Sequence, residues 1–401
     1  MKRKKDVGWL IPTAVFLGGI GGGIVFPILP VLGIEFGLSA FFIGLIISAN
    51  KFTRVFINQL VGITIDTFGG KKPLVLGLII ESIGSILYVV SLYFPPHGIL
   101  LFLGRIVWGI GSAFLFISAN TIALNLSETA TRGKSTAKVR IALSLGVPAG
   151  LVIGGILSSL ISNCIAFLSS AIASILGALL VIFFFKEKVK PAGKNAINLK
   201  ESFKFMFSNR DIAVISMGNF LTFFSLQGVV MATLVLFIKE RNITLIYPDP
   251  RFTSGLAMAF MMASSGIFGI AAGRIVDRLK YRSTIGFPAT LVVFLGFLLL
   301  AFSKNSFQVI VSLIMLGIAI GSNNISLLSI LGDITPLQNR GKAVSVYQLL
   351  GDIGGTLGPI FGIQIGIIYK FSATYIITGF VILLNLFIFF YLLKLEKQIK
   401  R

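Results

Sequence analysis

Long apolar runs separated by short polar connections dominate the chain. A helix needs about 20 apolar residues to cross a bilayer. The sequence supplies twelve such runs, numbered here as spans 1 to 12: 8–33, 38–64, 73–94, 98–126, 136–158, 163–185, 211–238, 253–276, 283–303, 305–331, 341–368 and 371–393. The fifth runs into the sixth and the ninth into the tenth, so the count of twelve leans on an internal repeat. Arg132-Gly133-Lys134 opens span 5, in which Gly146, Gly150 and Gly154 recur every fourth residue. Arg340-Gly341-Lys342 opens span 11, with Gly354, Gly358 and Gly362 at a constant offset (340 − 132 = 208; 362 − 154 = 208). Gly62 and Asp66 close span 2, and Gly273 and Asp277 close span 8 (273 − 62 = 211; 277 − 66 = 211). A duplicated membrane unit of this kind is the signature of a two-fold transporter. The pattern predicts an all-α integral membrane protein with twelve transmembrane helices in two pseudo-symmetric six-helix bundles. The expected domains are an N-terminal bundle over 1–185, a cytoplasmic basic linker over 186–210 and a C-terminal bundle over 211–401. Within the linker, 199–207 reads as a short amphipathic helix on the inner leaflet, with Phe203, Phe205 and Phe207 in lipid.

Composition narrows the class. Hydrophobic residues make up 55% of the chain and charged residues only 12%, about half the charged share of a soluble domain. The net charge of +21 would suggest a nucleic-acid partner in a soluble protein. Here the positive residues collect in the N-terminal Lys2-Arg3-Lys4-Lys5, in the even-numbered connections and in the C-terminal tail. By the positive-inside rule this places both termini and the even connections in the cytoplasm of a multi-pass protein of the plasma membrane. No nucleic-acid partner is expected, and contact with the lipid bilayer is. The first apolar run is too long for a signal peptide and reads as a retained span. One Cys and one His, Cys164 and His97, allow neither an intrachain disulfide nor a His/Cys zinc cluster. No metal and no cofactor are expected. There is no Walker-type glycine loop, so ATP is not the direct energy source. No His-Glu-x-x-His and no Ser/His pair lies within the spans, so the chain does not read as an enzyme.

The segment Gly62-Ile63-Thr64-Ile65-Asp66-Thr67-Phe68-Gly69-Gly70-Lys71-Lys72 follows span 2, and Gly273-Arg274-Ile275-Val276-Asp277-Arg278 follows span 8. With two six-span halves and a basic central loop, the whole chain resembles the major facilitator superfamily. Thr67 and Gly70 stand where that family has basic residues, and Lys280 replaces the later Gly of the second copy. A carboxylate suits a helix N-terminus, where unpaired N–H groups and the macrodipole favour an anion. The resemblance implies that Asp66 docks on the start of span 11 and Asp277 on the start of span 5. The implied conformational latch comprises Gly62, Asp66, Gly69, Lys71, Lys72, Gly273, Asp277, Arg278, Arg132 and Arg340. The span 5 glycines resemble the family's antiporter-associated motif, although Pro148 precedes Gly150 and Leu151 follows it. The span 11 copy keeps Gly358-Pro359. Glycines at this spacing make a smooth face for helix packing or sliding. Span 1 carries Gly18-Gly19-Ile20-Gly21-Gly22-Gly23, then Pro27 and Pro30, which weakens helix continuity.

Charges inside spans are costly unless paired or wet. Span 2 sets Asn50, Arg54, Asn58, Gly62 and Asp66 on one face at four-residue spacing, with Lys51 alongside. Glu81 lies in span 3, Arg105 in span 4, Arg140 early in span 5 and Asp352 in span 11. Asp352 falls about 16 Å along the helix from Gly341 at about 1.5 Å per residue, near the midplane. Arg105-Ile106-Val107-Trp108-Gly109 resembles the family's Arg-x-x-Gln-Gly motif, linked to proton coupling, with Trp108 in place of Gln. Asp352 and then Glu81 are the coupling candidates, with Arg105 beside them; permanent pairing of Glu81 with Lys51, Arg54 or Arg105 is the structural alternative. Spans 1, 4, 7 and 10 line the cavity in the family. The cavity candidates are Lys51, Arg54, Asn120, Asn219, Gln227, Asn323 and Asn324. Met258, Met261 and Met262 read as core packing or as a soft wall. The excess of embedded cations favours an anionic or neutral polar ligand. The expected function is secondary active transport of a small molecule by alternating access, as proton-coupled efflux antiport by a monomer. A proton-coupled uptake symporter of an anionic or polar metabolite is the alternative, and a membrane receptor or scaffold is the reading from another class.

Overall fold

The computed structural model describes residues 3–125, 132–187, 199–336 and 339–399. Every regular element among them is helical, and twelve membrane-length segments follow one another as expected. Span 1 is Arg3–Ile24 continued by Leu29–Glu35, span 2 Ala40–Phe68, span 3 Lys71–Tyr93, span 4 His97–Asn125, span 5 Arg132–Leu160 and span 6 Asn163–Phe184. Span 7 is Arg210–Arg241, span 8 Pro250–Arg278, span 9 Arg282–Ala301, span 10 Ser306–Ile334, span 11 Arg340–Tyr369 and span 12 Phe371–Ile399. Eleven are long and apolar enough to cross a membrane; span 5 contributes the shorter apolar stretch Ser144–Leu160 because its first turns are polar and basic.

The chain divides into two compact units, Met1–Leu38 with Ala49–Ala196 and Ser39–Ser48 with Ile197–Arg401. In the first, span 1 packs on spans 5 and 6, and span 3 on spans 4 and 6. In the second the same pairs recur: span 7 on span 11, span 9 on spans 10 and 12. Apolar side chains fill each unit. Leu74, Leu78, Leu115 and Val181 anchor the first core, and Ile215, Leu327, Val346 and Phe389 the second. Large apolar residues such as Phe52, Phe183, Ile270 and Phe387 stay exposed, as helices facing lipid require.

The glycine stripes mediate the packing within each unit. A methyl on Gly146 would lie 2.7 Å from the Phe16 carbonyl oxygen and 3.0 Å from Gly19 Cα; one on Gly154 would lie 2.7 Å from Ile24 Cα. In the second unit, a methyl on Gly358 would lie 2.5 Å from Gly228 Cα, and one on Gly362 3.1 Å from a Val229 methyl. Span 1 therefore stays helical through its glycine run, which close packing against span 5 uses. Its break falls later, at residues 25–28, where Pro27 has no N–H to donate and Pro30 opens the next helix.

Two other departures from regular helix appear in the second unit. Span 7 widens into a π-helix over Phe223–Val230, and span 9 begins with a 3-10 turn, Arg282–Ile285. The expected amphipathic helix is present as Leu199–Ser208. Phe207 is exposed, but Phe205 and Met206 pack against the second core, so this helix is seated on its own bundle through Phe205 instead of offering that ring to lipid. Phe203 lies among side chains outside the described residues.

Candidate functional site

In the first unit the polar face of span 2 meets span 4. Gly109 permits the approach: a methyl there would lie 2.8 Å from the Asn50 carbonyl oxygen and 3.0 Å from Asn50 Cα. On this seam the Arg54 guanidinium lies over the Phe116 ring at 4.9 Å. Asn120, one turn further on, donates from Nδ2 to the Phe116 carbonyl at 2.8 Å. Lys51 is half-buried one turn before Arg54. Arg105 is 2% exposed and its guanidinium faces the Phe26 ring at 5.8 Å. Both arginines thus have an aromatic face, and for the buried Arg105 the setting is one of low dielectric, where cation–π contact is strongest. Glu81 is fully buried in span 3, with the Ser174 hydroxyl of span 6 and the Arg54 guanidinium of span 2 as its polar neighbours. The Arg140 side chain lies outside the described residues.

In the second unit the polar candidates gather on span 11. Asp352 is 7% exposed, within the turn that precedes Gly354. Asn219 of span 7 donates from Nδ2 to the Tyr347 carbonyl at 2.7 Å, and the same nitrogen would lie 2.6 Å from a methyl on Gly351. Tyr347 in turn donates its hydroxyl to Asn324 Oδ1 of span 10 at 3.3 Å. Asn219, Asn324 and the span 11 segment 347–352 are therefore one polar neighbourhood. The Asn219 amide nitrogen is committed to joining spans 7 and 11. Asn323 is buried with both amide atoms unpartnered among the described residues, and Gln227 lies half-buried in the π-helical turn. Met258 and Met261 are core residues, fully enclosed.

At the polar ends two glutamates close helix starts that lie far from them in sequence. Glu187, just after span 6, accepts the backbone N–H of Gly70 at 2.7 Å and of Lys71 at 2.9 Å. Glu396, near the end of span 12, accepts those of Arg282 at 2.8 Å and Ser283 at 3.0 Å, with the Ser283 hydroxyl at 2.5 Å. Each glutamate closes the open N-terminus of the third span of its half, where N–H groups lack partners and the helix dipole favours negative charge. The signal was present: both glutamates follow a long apolar run at nearly the repeat offset (396 − 187 = 209).

Glu187 also accounts for the two glycines of the span 2 motif. Gly69 has a φ of 78° and its methyl would lie 2.7 Å from Glu187 Oε2; one on Gly70 would lie 2.5 Å from Ile122 Cγ1. Only glycine adopts that conformation cheaply, and no basic side chain fits at Gly70. Lys71 returns its ammonium to the Ile182 carbonyl at 3.0 Å, and Lys72 lies over the Phe68 ring at 5.7 Å. Gly62 and Asp66 are half-exposed, Gly273 has open space beside it, and Asp277 and Arg278 are exposed. Arg340 donates to the Gly332 carbonyl at 3.0 Å, closing the end of span 10. Arg132 starts span 5, and its side chain lies outside the described residues.

The comparisons with known proteins agree with this architecture. The family model described as Major Facilitator Superfamily matches residues 13–330 and 250–401. The chain is 27% identical over 401 residues to the multi-drug resistance efflux pump PmrA of Streptococcus pneumoniae, covering 95% of this chain and 96% of that one. It is 27% identical over 209 residues to multidrug resistance protein 1 of Bacillus subtilis, where the match spans 52% of each. Among solved structures, the nucleoside transporter NupG superposes with a TM-score of 0.80 at 16% identity, over 96% of this chain and 99% of that one. A bacterial homologue of the human lysosomal transporter Spinster, inward-facing and unoccupied, gives a TM-score of 0.81 at 14% identity, over 99% and 98%.

Proposed function

Since the chain belongs to the major facilitator superfamily, a family of membrane transporters of small molecules, we propose that it is a proton-coupled antiporter that expels drug-like compounds across the plasma membrane. The observation that carries this reading is Asp352, a carboxylate buried within span 11 beside the glycine seam to span 7. A carboxylate in a membrane helix is costly and marks an ion or proton pathway. The full-length similarity to a multi-drug efflux pump supports the direction.

In this reading Asp352 exchanges a proton against substrate, and Arg105 and Glu81 serve coupling from the N-terminal bundle. Asp66 and Asp277, with the residues around them, secure the cytoplasmic side during the cycle. Lys51, Arg54, Asn120, Gln227, Asn323 and Asn324 contribute polar contacts to the ligand. Both termini are cytoplasmic, by the charge asymmetry of the connections, and the working unit is the monomer.

The embedded cations Lys51, Arg54 and Arg105 favour a second reading, uptake of an anionic or polar metabolite with protons. Purified protein in liposomes separates the two. Substrate entering by antiport drives protons out and acidifies the medium; substrate entering by symport carries protons in and makes it more alkaline. Absence of any substrate-driven proton movement would exclude both forms of coupling.

A further inference from the structure

Two lysines from distant parts of the chain meet at one ring on a polar end of the second unit. Lys280, in the connection from span 8 to span 9, holds its ammonium 5.4 Å from the centroid of Tyr281. Lys397, in the last turn of span 12, holds its own 5.9 Å from the same centroid. The two charges are no further apart than those distances laid end to end. That is comparable to the Debye length of about 10 Å at 0.1 M salt, so each feels the other's repulsion. Lys394, one turn before Lys397, lies over the exposed Phe390 ring at 4.8 Å. All three lysines are exposed.

The acids nearby are engaged elsewhere. Glu396 is 5% exposed and spends its carboxylate on the start of span 9. Asp333 takes the Arg282 guanidinium at 3.0 Å. Asp277 is balanced in charge by Arg278 beside it. Among the described residues neither Lys394 nor Lys397 forms a salt bridge. A ring attracts a cation through its quadrupole but carries no charge to cancel it. The cluster therefore suits an anion.

The surface leading to the cluster says which anion. On span 12, Leu384, Phe387 and Phe390 are exposed and share one face with Lys394, at spacings of three, three and four residues. At about 1.5 Å per residue, Leu384 lies about 15 Å from Lys394, which is one leaflet of a hydrocarbon core about 30 Å thick. Span 9 widens this face: Leu291 and Leu295 are exposed, and Phe294 meets Phe380 of span 12 edge-on at 5.3 Å. A soluble anion would satisfy the lysines and leave this column bare. A phospholipid covers both, phosphate on the ammoniums and acyl chains on the rings.

We propose that Lys280, Lys394 and Lys397, gathered around Tyr281, bind the headgroup of an anionic phospholipid whose chains lie along Phe387 and Phe390. Lone lysines at helix ends only snorkel to the interface. Here two from positions 117 residues apart (397 − 280 = 117) converge on one ring, which an anionic headgroup relieves of its like-charge repulsion. Placement in the cytoplasmic leaflet rests on the proposed orientation; the site itself does not.

Native mass spectrometry of the full chain in detergent tests this. The probes are phosphatidylglycerol, phosphatidylcholine with the same acyl chains, and inorganic phosphate. The wild type should hold phosphatidylglycerol at least about tenfold more tightly than phosphatidylcholine, since each lysine near an anionic headgroup contributes about fivefold. Inorganic phosphate should not displace it. The triple variant Lys280→Gln, Lys394→Gln, Lys397→Gln should lose the preference. A control with Lys239→Gln, Lys304→Gln and Lys370→Gln, all exposed on other connections, removes the same charge and should keep it. Equal affinity of the wild type for the two lipids overturns the proposal, as does the same loss in control and triple variant. Displacement by inorganic phosphate would make this a site for a soluble anion and overturn the lipid assignment.

Discussion

Glu187 and Gly70 are joined across 117 residues by a hydrogen bond of 2.7 Å from the Gly70 N–H to the glutamate carboxylate. Its counterpart, Glu396 to Arg282 at 2.8 Å, closes the same helix end in the other half. These caps tie the last helix of each bundle to the third. A bond to a charged acceptor contributes about 1.5–3 kcal/mol, less where water competes. Glu187 is half-exposed and holds two N–H groups; Glu396 is 5% exposed and holds two N–H groups and a hydroxyl. Both alanine variants should lower the unfolding temperature in detergent, Glu396→Ala more than Glu187→Ala. Unchanged melting in both would show that the caps do not stabilise the bundles.

The glycine seams make a paired prediction. A methyl on Gly358 would lie 2.5 Å from Gly228 Cα, while nothing lies within 4 Å of one on Gly273. Overpacking of a tight contact costs about 1–3 kcal/mol. Gly358→Ala should therefore reduce the yield of monodisperse protein and transport together, whereas Gly273→Ala should fold normally. Equal behaviour of the two on size-exclusion chromatography would count against close packing as the role of the stripe.

Asn219 separates structure from substrate contact. Its Nδ2 bonds the Tyr347 carbonyl at 2.7 Å and is fully buried. Asn219→Leu removes the bond that ties span 7 to that helical carbonyl, at a cost of about 0.5–1.5 kcal/mol. A lower melting temperature with unchanged ligand affinity is expected. Weakened binding at unchanged stability would return Asn219 to the cavity.

Asp66 tests the latch. Asp66→Ala removes the carboxylate from the half-exposed end of span 2 without touching an apolar core position. Insertion should stay at wild-type level while transport slows several-fold. Transport at the wild-type rate would discard the latch role.

Much of the scaffold was legible in the sequence because the bilayer imposes a length on every helix and the repeat supplies the count. Span 5 illustrates both: its basic first turns leave only Ser144–Leu160 strongly apolar, yet the 208-residue offset to span 11 marks it as a full helix. Local chemistry was legible where one residue decides it, as at Pro27. The helix caps were not, since Glu187 and Gly70 are 117 residues apart and only the folded bundle brings them together. The π-helix at Phe223–Val230 was not either, because its residues are as apolar as those of any span. Trp108 was visible only as a departure from a motif; its unpartnered indole beside Gly21 and Ser174 is a property of four packed helices.

Asp352, the buried carboxylate of span 11, is the group proposed to exchange protons for substrate. The most direct test of that role is simultaneous recording of substrate flux and external pH in liposomes holding wild-type or Asp352→Asn protein. External acidification in step with substrate entry is expected for the wild type. Asp352→Asn should bind and exchange substrate without proton movement. Proton movement of wild-type size and sign in Asp352→Asn would contradict that role.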